Sequence, residues 1–195
     1  MLPPSIVDRF HDLLSRATGA GEPEPTAMSL ATADASGRPS VRTVLLKQFA
    51  ADGLVFYSNA DSQKGVQLAA NPQAAICVLW KRLDLQVQVR AEGRVERVGD
   101  DEADRYFASR PRGSQIGAWA SSQSRTLDGR RTLEDRIEAV ESQYGDLPVP
   151  RPPYWVGFRL VPDRVEFWYG GEFRLHDRIL FTLESAGWAE SRLFP

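Results

Sequence analysis

Residues 27–57 read AMSLATADASGRPSVRTVLLKQFAADGLVFY, and this stretch decides the fold. Met28 to Thr32, Ser40 to Phe49 and Leu54 to Tyr57 have the composition and spacing of short strands. Asp34-Ala35-Ser36-Gly37 and Ala51-Asp52-Gly53 separate them, and both separators suit hairpins. Three strands joined this way form an antiparallel meander.

Upstream, Ile6, Phe10, Leu13 and Leu14 recur at helical spacing within Ile6 to Arg16. Gly19 to Pro25 then breaks the pattern, so residues 1–24 read as a helix and linker and 25–195 as a single domain. Downstream, Ser62 to Ala70 predicts a short helix stopped by Asn71-Pro72, followed by strands Ala74 to Trp80 and Leu85 to Val98. Asp100 to Ser109 predicts a helix that ends before Pro111. Ser114 to Ser124, small and hydroxylated around Trp119, predicts a loop. Thr132 to Tyr144 predicts a helix with Thr132 and Asp135 as a capping box and Gly145 at its end. Strands return at Trp155 to Val161, Arg164 to Trp168, Arg174 to Leu183 and Trp188 to Leu193. The class is α+β, mainly antiparallel β, a barrel with peripheral helices.

Composition narrows the chemistry. With 24 Lys+Arg against 26 Asp+Glu the formal charge is −2, which argues against sequence-independent nucleic-acid binding. One cysteine, Cys77, excludes a disulfide framework, and two histidines, His11 and His176, argue against a zinc enzyme. The longest apolar run, Ala74 to Trp80, is far short of the roughly 18 residues of a membrane span. No basic leader followed by an apolar stretch opens the chain, so the expectation is a cytoplasmic protein. Only Lys47, Lys64 and Lys81 are lysine; the other basic residues are arginine, whose planar fork suits phosphate and carboxylate.

Four places carry candidate chemistry. Arg42 and Lys47 lie at the two ends of one expected strand and, by parity, on opposite faces. Tyr57 to Gly65 runs from a strand end into a helix start, where backbone N–H groups and Lys64 suit a phosphate. Tyr106, Arg110 and Ser114 recur every four residues, offering a phenol, a guanidinium and a hydroxyl together. Arg174, His176 and Arg178 alternate, so in a strand all three face one way and repel unless an anion lies between them. Each also has a plain structural reading: a strand end, a helix cap, a solvated face, a charged edge strand. Together they suggest one or two planar phosphorylated ligands.

Arg42-Thr43-Val44-Leu45-Leu46-Lys47, the run Ser109 to Trp119, Gln123-Ser124, and Glu166-Phe167-Trp168 through Arg174-Leu175-His176-Asp177-Arg178 resemble the pyridoxine/pyridoxamine 5′-phosphate oxidase family. The likeness runs from about Pro25 to Pro195. It implies a homodimeric, FMN-binding split β-barrel with the cofactor at the subunit interface. Non-covalent FMN would be held by Arg42, Thr43, Val44, Leu45, Leu46 and Lys47, by Tyr57, Ser58, Gln63 and Lys64, and by Gln86. Gln123, Ser124, Trp168 and Arg178 would reach it from the partner subunit. Lys47, Tyr106, Arg110 and Ser114 would meet the substrate phosphate, with Arg174, Leu175 and His176 at the pyridine ring.

The resemblance implies oxidation of pyridoxine or pyridoxamine 5′-phosphate to pyridoxal 5′-phosphate by FMN and dioxygen, with hydrogen peroxide released, and ammonia from the amine. A hydride equivalent would pass from the substrate C4′ to flavin N5, with Arg174 and His176 positioning and polarising. The alternatives are a same-fold oxidase with a phenazine-type substrate and a non-catalytic FMN or pyridoxal phosphate binder. Two departures stand out. Gln63 replaces the family's usual arginine, implying weaker FMN binding, and the segment before the first helix is short, implying weaker site closure.

Overall fold

In the computed structural model, which describes residues 1–195, Met28, Leu30 and Thr32 are buried and their neighbours are not. Strand β1 (Ala27–Ala33) therefore turns one face inward, as its period requires. It pairs antiparallel with β2 (Pro39–Leu45) through a turn closed by the Asp34 carboxylate, which accepts from the backbone N–H groups of Ser36 and Arg38. The single strand expected over Ser40 to Phe49 is two strands. β2 ends at Leu45, and β3 (Gln48–Ala50) pairs instead with β4 (Gly53–Asn59). At the corner, Leu46 N–H donates to the Thr26 carbonyl and Lys47 N–H to the Val55 carbonyl.

The reason for the break is the order of the sheet. With β5 (Gln73–Trp80), β6 (Val87–Arg97) and β7 (Trp155–Tyr169), it runs β2-β1-β5-β6-β7-β4-β3, all antiparallel. β2 and β3 are its opposite ends, so Leu46 and Lys47 carry the chain from one edge to the other and the sheet is curled into a barrel. The two expected strands from Trp155 to Trp168 are likewise one. β7 bonds β4 along Trp155–Leu160 and β8 (Asp177–Glu184) along Arg164–Tyr169, and β9 (Gly187–Leu193) extends β8. Pro162, which has no N–H to donate, lies between these halves and opposite a bulge at Glu92/Gly93. A Cβ on Gly93 would stand 2.2 Å from the Val161 carbonyl oxygen, so only glycine fits there.

Helix α1 (Pro4–Gly19) packs Ile6, Phe10, Leu13 and Ala17 into the main core, where the Phe10 ring stacks on Phe49 at 4.0 Å. Truncating such a buried phenylalanine to alanine costs about 3–5 kcal/mol. α2 (Gln63–Ala70) and α3 (Asp100–Ala108) fall where expected. Most of the loop expected over Ser114 to Ser124, from Ser114 to Ala120, is helical instead, in α4 (Arg112–Ala120). Gly113 and Gly117 weaken its local helical preference. Packing overrides this: Ile116 joins Phe107, Val149 and Trp155 in a second core, and the Gln115 carboxamide donates to the Phe107 and Ala108 carbonyls. α5 (Arg130–Tyr144) starts after Gly129, so Thr132 lies inside the helix and the expected capping box is absent.

Two expectations about the tail also change. Tyr169 pairs with Asp177, so the β7–β8 hairpin closes there and residues 170–176 form its loop. Glu172–Arg174 make one 3-10 turn, with Phe173 (φ 54°) and Arg174 (φ 65°) in the left-handed region. The alternating row of Arg174, His176 and Arg178 therefore does not exist. Gln86 precedes β6 rather than lying in it.

Candidate active site

A cavity of about 780 Å³ opens beside the Leu46–Lys47 corner, between β2, β4, the start of α2 and the α3–α4 junction. Arg42, Lys47, Lys64 and Arg110 line it, and no aspartate or glutamate does. The break in the strand explains how Arg42 and Lys47 meet in one cavity. Parity along a single strand put them on opposite faces, but the corner resets the direction of the chain. Thr43, Val44 and Leu45 line the same wall, whereas Leu46 points into the core.

Lys64 is the most enclosed of the four cations. Ser62 caps α2, its hydroxyl accepting from Gly65 N–H at 3.3 Å. Residue 65 must be glycine, since a Cβ would lie 2.1 Å from the Ala60 carbonyl oxygen. The Lys64 chain folds back, and Nζ donates to Ser58 Oγ (3.0 Å), Ser62 Oγ (3.2 Å) and Gln123 Oε1 (2.9 Å). It is 7 % exposed and has no acidic partner. Burial, helped by the nearby charge of Arg42, lowers its pKa to about 8. Arg42 too meets only neutral acceptors, Thr32 Oγ1, the Leu30 carbonyl and Gln67 Oε1, and burial lowers its pKa. Gln63 stands at the rim, its amide directed to Ser40 Oγ at 3.4 Å.

Arg110 sits differently. The rings of Tyr57 and Tyr106 stack at 4.2 Å and those of Tyr57 and Trp155 at 4.9 Å, nearly parallel. The Arg110 guanidinium lies 5.0 Å from the Trp155 ring centroid, and its Nη1 is buried with no hydrogen-bond partner. Burial lowers the Arg110 pKa, and burial followed by the neighbouring Glu102 and Tyr106 raises that of Tyr57. Tyr106 comes from α3 and Ser114 from α4, so the expected spacing of four spans two helices; both still line the cavity.

The structure separates the expected site residues into two groups. Besides the residues above, Ser58, Gln123 and Ser124 line the cavity of their own chain, so Gln123 and Ser124 need no partner subunit to reach it. Gln86, Trp168, Arg174, Leu175, His176 and Arg178 are not among its lining residues. They gather around the β7–β8 hairpin instead. Gly170 N–H donates to the Gln86 carbonyl, and Gly171 N–H donates to His176 Nδ1 at 3.1 Å, with the imidazole 4.4 Å from the Trp168 ring. Arg174 and Leu175 are exposed. Arg178 Nε donates to Glu166 Oε1 at 2.7 Å, and Arg90 donates to the other oxygen at 2.9 Å. Burial pushes the Glu166 carboxyl up, but the Arg178 hydrogen bond and the charge of Arg90 outweigh it and hold it below the ordinary range.

Sequence reading missed Trp155, Thr32 and Gln67. The last two carried a signal: polar residues at positions whose spacing faces the core, Thr32 on β1 and Gln67 one turn after Lys64 on α2. Trp155 carried none, because a tryptophan opening a strand reads as core.

The cavity suits a phosphorylated planar ligand: uncompensated cations, one of them deeply buried, beside a stack of flat rings. Comparison with known proteins agrees. Residues 16–144 match the family model described as pyridoxamine 5′-phosphate oxidase, and residues 155–195 match that of the pyridoxine 5′-phosphate oxidase C-terminal dimerisation region. The chain is 54 % identical to a pyridoxine/pyridoxamine 5′-phosphate oxidase of Myxococcus xanthus (strain DK1622), covering all of this chain and 94 % of the relative. It is 52 % identical to a protein of that name from Burkholderia cenocepacia (strain HI2424), covering 98 % and 90 %. Among solved structures it resembles PhzG of Burkholderia lata 383, in complex with tetrahydrophenazine-1-carboxylic acid (TM-score 0.91, 27 % identity, 100 % and 98 % covered). It shares its fold with a pyridoxamine 5′-phosphate oxidase-related, FMN binding protein of Nostoc punctiforme PCC 73102 (TM-score 0.75, 18 % identity, full coverage of both chains).

Proposed function

The chain belongs to the pyridoxamine 5′-phosphate oxidase family, and on that premise we propose that it oxidises pyridoxine or pyridoxamine 5′-phosphate to pyridoxal 5′-phosphate with FMN as its cofactor. The observation that carries this reading is the cavity with four cations and no carboxylate. A phosphate monoester bears about −1.5 to −2 charges near neutral pH. Two of them, one on the cofactor and one on the substrate, balance the four cations. Bound FMN supplies the two-electron redox chemistry, with dioxygen as the final acceptor.

The chain's own residues bind and orient. Arg42 and Lys64, with Ser58 and Gln123 around them, hold the cofactor phosphate. Lys47, Tyr106, Arg110 and Ser114 hold the substrate phosphate. Charge-assisted hydrogen bonds of this kind are short and directional, and fixing the reacting carbon is worth up to about 7–11 kcal/mol of barrier. A homodimer brings Gln86, Trp168 and Arg178 of one subunit to the cofactor in the cavity of the other, and Arg174, Leu175 and His176 to the substrate. Because His176 Nδ1 accepts from Gly171 N–H, the neutral ring carries its proton on Nε2, which makes it a hydrogen-bond donor toward a ligand.

Likeness to PhzG favours a second reading, an oxidase of a phenazine-type carboxylate. Such a ligand brings one carboxylate and leaves the Arg110 end under-neutralised. The test is to load the protein with FMN, exclude oxygen, and follow flavin absorbance on adding each phosphorylated substrate or a tetrahydrophenazine-1-carboxylate. Bleaching by the phosphorylated substrates alone, reversed by air with peroxide formed, is expected. Bleaching by the phenazine alone overturns the reading.

A further inference from the structure

Arg42 is seated in an unusual way for a half-buried arginine. Nη1 donates to Thr32 Oγ1 at 2.5 Å and to the Leu30 carbonyl at 3.2 Å, and Nη2 reaches Gln67 Oε1 at 3.4 Å. The Thr32 hydroxyl donates onward to the same Gln67 oxygen at 2.6 Å, while Gln67 Nε2 donates to Ser40 Oγ at 3.1 Å. These bonds fix the carboxamide with its oxygen toward the guanidinium. Thr32 and Gln67 are 3 % and 6 % exposed, so both are polar side chains placed where the fold otherwise puts apolar ones. Three other enclosed arginines take acids, Arg178 taking Glu166, Arg151 taking Asp100 and Asp104, and Arg159 taking Asp52 and Glu102, whereas Arg9, Arg110 and Arg164 have no acidic partner and each keep a buried nitrogen without a hydrogen bond.

We propose that Gln67, held by Thr32, is a positioning residue that aims the Arg42 guanidinium into the cavity while leaving its charge uncompensated, and thereby sets the preference for a phosphorylated cofactor. The inference rests on reading the Arg42–Lys64 end as the FMN phosphate site. Its physical basis is competition. A carboxylate at the Gln67 position has the same shape and accepts the same bonds, but its attraction to Arg42 within a few ångströms opposes that of an incoming phosphate. A carboxamide orients the cation without this cost. It touches no ligand itself.

The test compares FMN with riboflavin, which keeps the ring system and lacks the phosphate, by quenching of flavin fluorescence. A wild-type preference for FMN supports the underlying reading, and its absence overturns that reading and the inference with it. Where the preference exists, Gln67→Glu is expected to weaken FMN by about tenfold or more and riboflavin by less than about twofold. Gln67→Met, which removes the acceptor without adding charge, is expected to weaken FMN less than Gln67→Glu does. Parallel losses of FMN and riboflavin, or a Gln67→Met loss as large as that of Gln67→Glu, make Gln67 a packing residue and overturn the proposal. Should Gln67→Glu fail to fold, Thr32→Val decides: a fall in the FMN-to-riboflavin ratio supports the proposal, and an unchanged ratio overturns it.

Discussion

Around the β7–β8 hairpin, Arg90 and Arg178 share the buried carboxylate of Glu166, whereas in the cavity Arg42, Lys64 and Arg110 meet hydroxyls, carboxamides, a carbonyl and an indole face. Composition gives no hint of this contrast, since both regions are basic in sequence. The difference lies in what neutralises each charge. A compensated arginine ties strands together; an uncompensated one holds a place for an anion that folding does not supply. The cavity cations therefore cost stability in the empty protein, and a bound phosphate offsets that cost.

The largest test of the contrast is on the paired side. Glu166→Ala leaves two guanidinium groups facing each other in the sheet, and chemical denaturation should show a loss of about 3–5 kcal/mol. Because the folded Glu166 carboxyl titrates below its unfolded value, its contribution is fully present above the ordinary carboxylate pKa. It is lost as pH falls through the depressed value. On the cavity side the sign reverses. Lys64→Met should stabilise the unliganded protein by about 1 kcal/mol or more, by removing a desolvated charge. The same change should weaken FMN by roughly 10–100-fold, the worth of a hydrogen bond to a charged group. A Lys64→Met protein that is less stable without ligand and binds FMN normally would erase the distinction.

Smaller effects sharpen it. Trp155→Leu removes the aromatic seat of Arg110 and should raise KM for the phosphorylated substrate several-fold, about 1 kcal/mol, with kcat less affected. Trp155→Phe should recover most of that loss. Arg174 is exposed and belongs to neither network, so Arg174→Ala should move stability by no more than about 0.5 kcal/mol. Its expected effect is on turnover, with flavin content retained; equal losses of both would contradict the positioning role.

Much of the barrel is legible in the sequence, because Met28, Leu30 and Thr32 alternate and Asp34 to Gly37 has the chemistry of a turn. The illegible parts are those where non-local bonds decide. Nothing within Ser40 to Phe49 says that Leu46 must bond Thr26 while Lys47 bonds Val55, so the corner that creates the cavity is invisible locally. The α4 helix is hidden for a similar reason: two glycines disguise a segment that Ile116 pins to Phe107 and Trp155. At the hairpin, sequence alternation suggested three cations on one face, but pairing of Tyr169 with Asp177 left Arg174 and His176 in the loop, and the anion beside Arg178 proved to be Glu166. The cavity's cations were each visible. The neutral supports of Arg42, Thr32 and Gln67, were visible only as polar residues out of place.

FMN affinity measured across about pH 6.5 to 9.5, for wild type and Lys64→Met side by side, tests the account most directly. Burial holds the Lys64 pKa at about 8 in the unliganded protein, and a bound phosphate would keep its proton on. Affinity in the wild type should therefore fall by up to about tenfold per pH unit above 8, while the variant stays flat and weak over the same range. Superimposable pH profiles for the two proteins would contradict the claim that an uncompensated buried lysine is the receptor for the cofactor phosphate.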